Sequence, residues 1–461
     1  MSTARTLARI GDSVVRYSVR TLNRHASAGI PPVRTVLSPP DKNQPELHPV
    51  LETVFRAFEE AGLCWCLLRI PASWTAPGGD VDLLIDPVHS GSARKILQGL
   101  EFVPFPAGIQ KFHTHFLRYH RPTGCWIWLD IVTVLSFGPL YMLQTGAEAA
   151  CLARRQRHEM RAVLAPEDAF WALLLHCLLD KGGVAGHHRL RLRGLVQTAC
   201  ADGPLAQVVA ESCPPGWTLE RMVECVALGD WGALEQLAPS LTTTWLRRHS
   251  ITVPQILLQQ GLWRVDRLVK RFRRRGLSVA LLGPDGAGKS TLATAIQKSF
   301  IFPVRVVYMG LTGGLLPHVA RLRVPGLVLL GRLLVFWGRY LAAQYHTMCG
   351  RLVVFDRYIY DAAVPHPERL NWLRRASRWV DGRACPGPDL VLILSAPGEV
   401  MYARKRSYSP EQLEDWRRHY LALSQRIPHV RIVDTTQPEH VVHTEAVHRI
   451  WQQYSARWEK S

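Results

Sequence analysis

The sequence contains no run of 18 uncharged apolar residues, because the best stretch, Val324 to Trp337, is short and is interrupted by Arg332. That excludes a membrane-spanning helix of ordinary length, and the stretch reads as a buried helix. Paired C-x-x-C spacing is also missing. Of the ten cysteines only Cys64 and Cys66 lie close together, which argues against a zinc module and for free thiols in a reducing cytosol. No internal repeat and no low-complexity tract is present. Acids are scarce: 37 Asp and Glu stand against 56 Lys and Arg, for a formal net charge of +19. Such a surface attracts phosphorylated ligands, anionic lipid or nucleic acid. Arginine greatly outnumbers lysine, which favours bidentate contacts to phosphate and carboxylate, although a skewed codon composition gives the same bias.

What is present is enough for a folded protein of several parts. Apolar residues make up 47 %, which excludes wholesale disorder, and 461 residues exceed one ordinary core, so two main domains plus linkers are expected. Residues 1–44 form a basic arm and a Pro-rich linker. Arg5, Arg9, Arg16, Arg20 and Arg24 share one helical face, Leu7, Ile10, Val14, Val15, Val19 and Leu22 the other, and Asp12 is the sole acid of the first 24 residues. This pattern suits an anionic membrane surface, docking on protein, or an organelle presequence. Pro31, Pro32, Pro39 and Pro40 mark the linker. Residues 45–250 form the first domain and 276–461 the second. Between them, 251–275 reads as a basic linker helix carrying Arg264, Arg267, Lys270, Arg271, Arg273, Arg274 and Arg275. That face is either solvated or meets lipid headgroups, nucleic acid or the acidic face of the other domain.

The most informative segment is Gly283-Pro284-Asp285-Gly286-Ala287-Gly288-Lys289-Ser290-Thr291, which matches the pattern G-x-x-x-x-G-K-[ST]. An apolar run, Leu277 to Leu282, precedes it as a buried parallel strand, and Leu292 to Lys298 opens a helix after it. Glycines let the backbone wrap a polyphosphate so that consecutive N–H groups and the helix N-terminus point at the anion. Lys289 is then expected to reach the β- and γ-phosphates and Ser290 to ligate Mg²⁺, so ATP or another nucleoside triphosphate is the expected ligand.

Three more strands are expected downstream. Arg351 to Tyr358 is an apolar strand ending in the acid Asp356 and the base Arg357, which should lie beside the phosphate loop, the acid organising Mg²⁺ or accepting a proton and the guanidinium clamping a phosphate. Leu390 to Leu394 leads into a helix with Arg404, Lys405 and Arg406, cations suited to a lid over the triphosphate or simply to a solvated face. Val430 to Asp434 is the last strand, and the loop Thr435 to Pro438 is placed to border a nucleobase.

In order and spacing, the segments Asp285 to Thr291, Asp356-Arg357-Tyr358, Pro388-Asp389-Leu390 with Arg404, and Ile432-Val433-Asp434 resemble the thymidylate kinase family of P-loop nucleoside monophosphate kinases. The resemblance covers about 185 residues. It implies a doubly wound five-stranded parallel sheet, ATP with Mg²⁺ as donor system, a closing lid and a homodimer. Two elements depart from the family. Its Arg-Glu-Pro-Gly-Gly segment is replaced by Tyr308-Met309-Gly310-Leu311-Thr312-Gly313-Gly314, and its Ala-Tyr-Gln element by Tyr360-Asp361-Ala362-Ala363-Val364. Both read the acceptor, which implies transfer to something other than thymidylate.

The first domain has a different signature. Gly78-Gly79-Asp80-Val81-Asp82 sets two carboxylates at i and i+2 on one strand face, and Trp126 to Val132 embeds Asp130 in an apolar strand. A buried carboxylate needs a partner, either a metal ion or a base. The arrangement resembles the nucleotidyltransferase superfamily, an α+β fold in which paired acids bind metal and a third orients the attacking hydroxyl. Asp80 and Asp82 would be metal ligands, Asp130 the third carboxylate, and Pro166-Glu167-Asp168 with Ala169 to Leu179 the start of a helical subdomain. His176 there reads as a core residue. The family's glycine turn about ten residues before the paired acids is replaced by Leu67-Leu68-Arg69-Ile70-Pro71-Ala72-Ser73. Nucleotidyl transfer, a binding or regulatory relic and accidental similarity therefore stay open.

The expected protein is a cytoplasmic transferase whose basic segments offer a peripheral contact to membrane, with nucleic acid left open as a partner. The C-terminal half phosphorylates a hydroxylated or phosphorylated small acceptor with MgATP, in which Lys289, Asp356, Arg357, Arg404 and Arg406 act catalytically. Its pairing with a nucleotidyltransferase-like half points to glycan or secondary-metabolite precursor activation. The alternatives are a nucleotidyltransferase gated by the P-loop half and a non-catalytic nucleotide sensor.

Overall fold

A computed structural model describes residues 47–71, 73–77, 79–105, 112–158, 160–199, 201–273, 276–310, 325–364 and 372–458. The basic arm at 1–44, Gly78, the stretch 311–314, Arg274 and Arg275 lie outside the described residues. The chain is α/β and divides into two compact units, with the main boundary near residue 268, inside the helix Val253–Arg273, and with residues 119–125 grouped with the second unit. Among the described residues no helix is long and apolar enough to cross a membrane, and nine cysteines are present as free thiols.

The first unit is built on a mixed sheet. Its strands are β1 (Trp65–Leu67), β2 (Asp80–Ile85), β3 (Val103–Pro104), β4 (His113–His120), β5 (Cys125–Val132), β8 (Gln156–His158) and β9 (Arg161–Val163), in the order β3-β4-β5-β2-β1-β9-β8. The short strands β6 (Ser136–Phe137) and β7 (Leu143–Gln144) pair separately. Parallel pairing of β2 with β5 sets Asp80 opposite Trp128 and Asp82 opposite Asp130, so the register alone collects three carboxylates on one sheet face. Val81, Leu83, Ile127, Leu129 and Ile131 alternate with them and are buried. The helices Pro166–Leu175, Gly186–Leu195, Pro204–Ser212, Leu219–Leu228 and Trp231–Arg248 follow. They share one core with the sheet, in which Trp65, Trp171 and Trp245 are the largest fully buried side chains. Prolines at the first helical positions, Pro166 and Pro204, and a left-handed Gly229 closing Leu219–Leu228 fix several of these helix ends.

The second unit holds a five-stranded sheet. It comprises β10 (Leu277–Leu282), β11 (Val304–Tyr308), β12 (Leu352–Asp356), β13 (Leu390–Ser395) and β14 (Val430–Asp434), ordered β11-β12-β10-β13-β14 with every pair parallel. Strands β10 and β13 are buried along their whole length, as unbroken apolar runs in a sheet covered on both faces require. From β10 the chain passes to the edge strand β11, returns through β12, and crosses to β13. A crevice beside the carboxyl end of β10 is the consequence. Leu281 pairs with Asp356 and Leu282 with Ile393, so the loop after β10 emerges between the ends of β12 and β13.

The apolar stretch ending at Trp337 is not the wholly buried helix that hydropathy suggests. It lies in the helix Pro325–Met348, which buries Phe336 and Ala343 but exposes Leu330, Leu334, Trp337, Leu341, Tyr345 and Met348. A sheet covers only one stripe of a helix laid on it, and the rest of this helix has an apolar outer face.

Candidate functional site

In the second unit the loop after β10 is held in a shape only glycine permits at two points. Gly283 has φ 144° and Gly286 φ 83°, and a Cβ on them would stand 2.6 Å from the Leu394 carbonyl oxygen and 2.4 Å from that of Met401. Gly288, at φ 93°, begins the helix Lys289–Ser299, whose N-terminus has no side-chain cap. The first-turn N–H groups therefore face the loop, the arrangement that receives an anion. The buried Lys289 ammonium donates to the carbonyls of Gly283 (2.6 Å) and Pro284 (2.7 Å), and Ser290 Oγ donates to Asp356 Oδ2 at 2.8 Å.

Arg357 follows Asp356 in a left-handed conformation, φ 69°. Its guanidinium bonds Asp285 and stands 3.6 Å from Asp361. Asp285 also receives Lys405 Nζ at 2.9 Å. Burial pushes the Asp285 carboxyl up, but the Lys405 hydrogen bond and the Arg357 and Lys289 charges outweigh it and hold the group below the usual range. Asp361 is pushed up by burial, and Tyr420 donates to it at 2.9 Å.

Burial, followed by the Arg357 charge, pushes Lys289 from its ordinary 10.5 down to about 8. The folded loop thus binds this proton less tightly than the unfolded chain. The resulting cost to folding is complete below about pH 8 and fades as the pH rises towards 10.5. A triphosphate bound at this loop would raise the pKa again, so its binding would take up a proton above pH 8. We expect triphosphate affinity to fall by up to about tenfold per pH unit there, and Lys289→Arg to flatten the slope. Calorimetry in buffers of different ionisation enthalpy measures the uptake.

The structure thus brings together Gly283, Asp285, Gly286, Ala287, Gly288, Lys289, Ser290, Thr291, Asp356 and Arg357. Arg404 instead donates to the Thr435 carbonyl at 2.7 Å, Arg406 is exposed, and Lys405 between them is the cation that reaches the loop. Asp361 and Tyr420 escaped the sequence reading as site residues. Asp361 stands four residues after Arg357, a spacing that could have signalled the pair.

In the first unit Asp80, Asp82 and Asp130 present carboxylate oxygens within 4.8 Å of one another, with Asp80 exposed and the other two buried. Their neighbours are basic. Arg69 donates to Asp82 Oδ2 from Nε at 2.8 Å and from Nη2. His113 Nδ1 lies 2.9 Å from Asp130 Oδ2, and His115 Nδ1 lies 3.3 Å from Asp130 Oδ1. Burial, only partly offset by Arg69, pushes Asp82 up to about 7. Tyr141 packs its ring 4.6 Å from that of His113, and burial together with nearby Asp180, Asp130, Asp80 and Asp82 pushes its hydroxyl up.

Of the two partners expected for a buried carboxylate, the structure supplies the base. Three clustered carboxylates also match the oxygen donor set of a divalent cation, so Mg²⁺ fits the cluster in kind. His176 is part-buried and 2.8 Å from Asp180, whose other oxygen receives the Gly138 N–H at 2.7 Å, which makes it a partnered histidine at the edge of the core. His113 and His115 were missed in the sequence reading; their i and i+2 spacing on the strand beside Asp130, which sets them on one strand face, is the signal that could have found them.

No protein-family model matches the chain, and no curated protein matches it either.

Proposed function

We propose that the second unit is a thymidylate-kinase-like P-loop kinase that passes the γ-phosphoryl group of MgATP to a small hydroxylated or phosphorylated acceptor other than thymidylate. One observation carries the reading: the Gly283–Ser290 loop stands at the carboxyl end of a buried parallel strand, with Lys289 inside it and Ser290 bonded to Asp356. Lys289, released from the loop carbonyls, and Arg357, drawn from Asp285, neutralise the β- and γ-phosphates. Ser290 and Asp356 would hold Mg²⁺, which would supply positive charge to offset that of the phosphates. Arg404 and Arg406 close over the γ-phosphate, and Lys405 exchanges Asp285 for phosphate. In-line attack by an acceptor oxygen then needs little beyond positioning. Incubation with γ-phosphate-labelled ATP and a metabolite extract tests this. Label on a small acceptor is expected, whereas label found only as inorganic phosphate would refute the transfer.

A second reading assigns nucleotidyl transfer to the first unit, on the strength of the register that aligns Asp82 with Asp130 and gathers Asp80 beside them. Asp80 and Asp82 would hold the metal, which would supply charge against an α-phosphate, while Asp130, held in place by His113 and His115, would orient the attacking hydroxyl. With α-phosphate-labelled nucleotides, label should enter an acceptor in the unsubstituted protein and not in Asp80→Asn. Label transfer independent of Asp80 would remove this reading.

A further inference from the structure

We infer that the Arg69 guanidinium is the resident counter-cation of the Asp80, Asp82 and Asp130 cluster, and that the first unit takes up a divalent ion only in exchange for it. The inference rests on the second reading for its choice of ligand. Its geometry stands on contacts already described.

Three carboxylates within 4.8 Å of one another, two of them buried, need positive charge nearby. Among the described residues in direct contact with them, Asp130 is served by His113 and His115, and Asp82 by Arg69. The guanidinium places two donors on one Asp82 oxygen, Oδ2, and so competes with a metal ion for this carboxylate. Unlike a histidine, it cannot give up its charge to make room. A divalent ion between Asp80, Asp82 and Asp130 would stand beside a permanent cation, and the two repel. One of them must leave.

The position of Arg69 makes departure feasible. It follows β1 by two residues and precedes Ile70 and Pro71, outside the strand pairing, and its side chain is 26 % exposed. A long side chain there can swing away without breaking the sheet. Leu68, next to it, keeps the local backbone in place by donating its N–H to the Asp82 carbonyl at 3.0 Å. Swung out, the guanidinium has the shape to grip a phosphate, so a phosphorylated ligand entering beside Asp80 would favour the exchange by drawing Arg69 off Asp82. The substrate class that opens the site is therefore a phosphate ester or polyphosphate.

The test is Mn²⁺ binding to the full chain without nucleotide, followed by loss of the free-ion electron paramagnetic resonance signal. Arg69→Ala should bind Mn²⁺ about tenfold more tightly than the unsubstituted protein, or tighter still, and adding Asp82→Asn should abolish the gain. Arg69→Lys keeps the charge and should remain within about threefold of the unsubstituted protein. If Arg69→Ala fails to fold by circular dichroism, the neutral, length-matched Arg69→Gln carries the same expectation. An Mn²⁺ affinity that is unchanged or weaker in a folded neutral variant overturns the inference, as does a gain that survives Asp82→Asn. No turnover is involved, so absence of nucleotidyl transfer leaves the exchange standing, and absence of exchange leaves nucleotidyl transfer to its own assay.

Discussion

Lys289→Ala is expected to lower acceptor phosphorylation by the full chain by about 10²- to 10³-fold, roughly 3–4 kcal/mol of lost transition-state stabilisation. The ammonium is enclosed by the loop, where its interaction with a triphosphate is weakly screened, and no other side chain contacts both the Gly283 and Pro284 carbonyls among the described hydrogen bonds. Folding should survive. The depressed pKa of Lys289 shows that burying its charge works against the folded state, so removing it relieves a cost. A single-turnover assay with γ-labelled ATP gives the rate, and a thermal melt separates lost chemistry from lost structure. Activity within about threefold of the unsubstituted protein would exclude Lys289 from the reaction.

The second large effect is on the loop itself. Gly286→Ala should destabilise the second unit by about 2–4 kcal/mol and remove triphosphate binding. Two independent costs combine: φ 83° is a left-handed backbone, and the new methyl would stand 2.4 Å from the Met401 carbonyl oxygen. That oxygen belongs to the helix Gly398–Arg404, and a backbone atom has no rotamer by which to yield. The helix must shift, or the loop must open. Gly288→Ala is the control, since it meets the backbone strain at φ 93° but no atom within 4 Å, and should cost about half as much. Equal losses for the two variants, read from chemical denaturation, would show that close packing against Met401 contributes nothing.

Much of the second unit could be read from its sequence because its signals are local. A glycine loop between an apolar strand and a helix, and acids at strand ends, are legible within a dozen residues, and four of the five parallel strands follow from apolar runs; the edge strand Val304–Tyr308, only partly buried, was not read from its residues, and the count of five came from the resemblance alone. The counter-charges are a different matter. Asp361 and Tyr420 are 59 positions apart, and Lys405 lies 120 positions from Asp285, so only the folded chain shows that they meet. Arg404 and Arg406 carry the same charge as Lys405, but the helix expected to bear all three ends at Arg404, and it is the extended backbone at Lys405 that turns this side chain to the loop while Arg404 is held on the Thr435 carbonyl.

In the first unit the acids were visible as a strand pattern, but their neutralisation was not. Arg69 occupies a segment whose departure from a glycine turn was plain, yet its contact with Asp82 depends on how β1 lies against β2. Hydropathy misjudged the helix Pro325–Met348 for a related reason. An apolar sequence records what a helix tolerates, and the neighbours decide how much of it is covered.

The central claim, that the loop around Lys289 grips a nucleoside triphosphate, is tested most directly by titrating the full chain calorimetrically with purine and pyrimidine triphosphates at millimolar magnesium. We expect at least one of them to bind with a heat that Lys289→Ala abolishes. Properly folded protein giving no heat with any triphosphate would contradict the account.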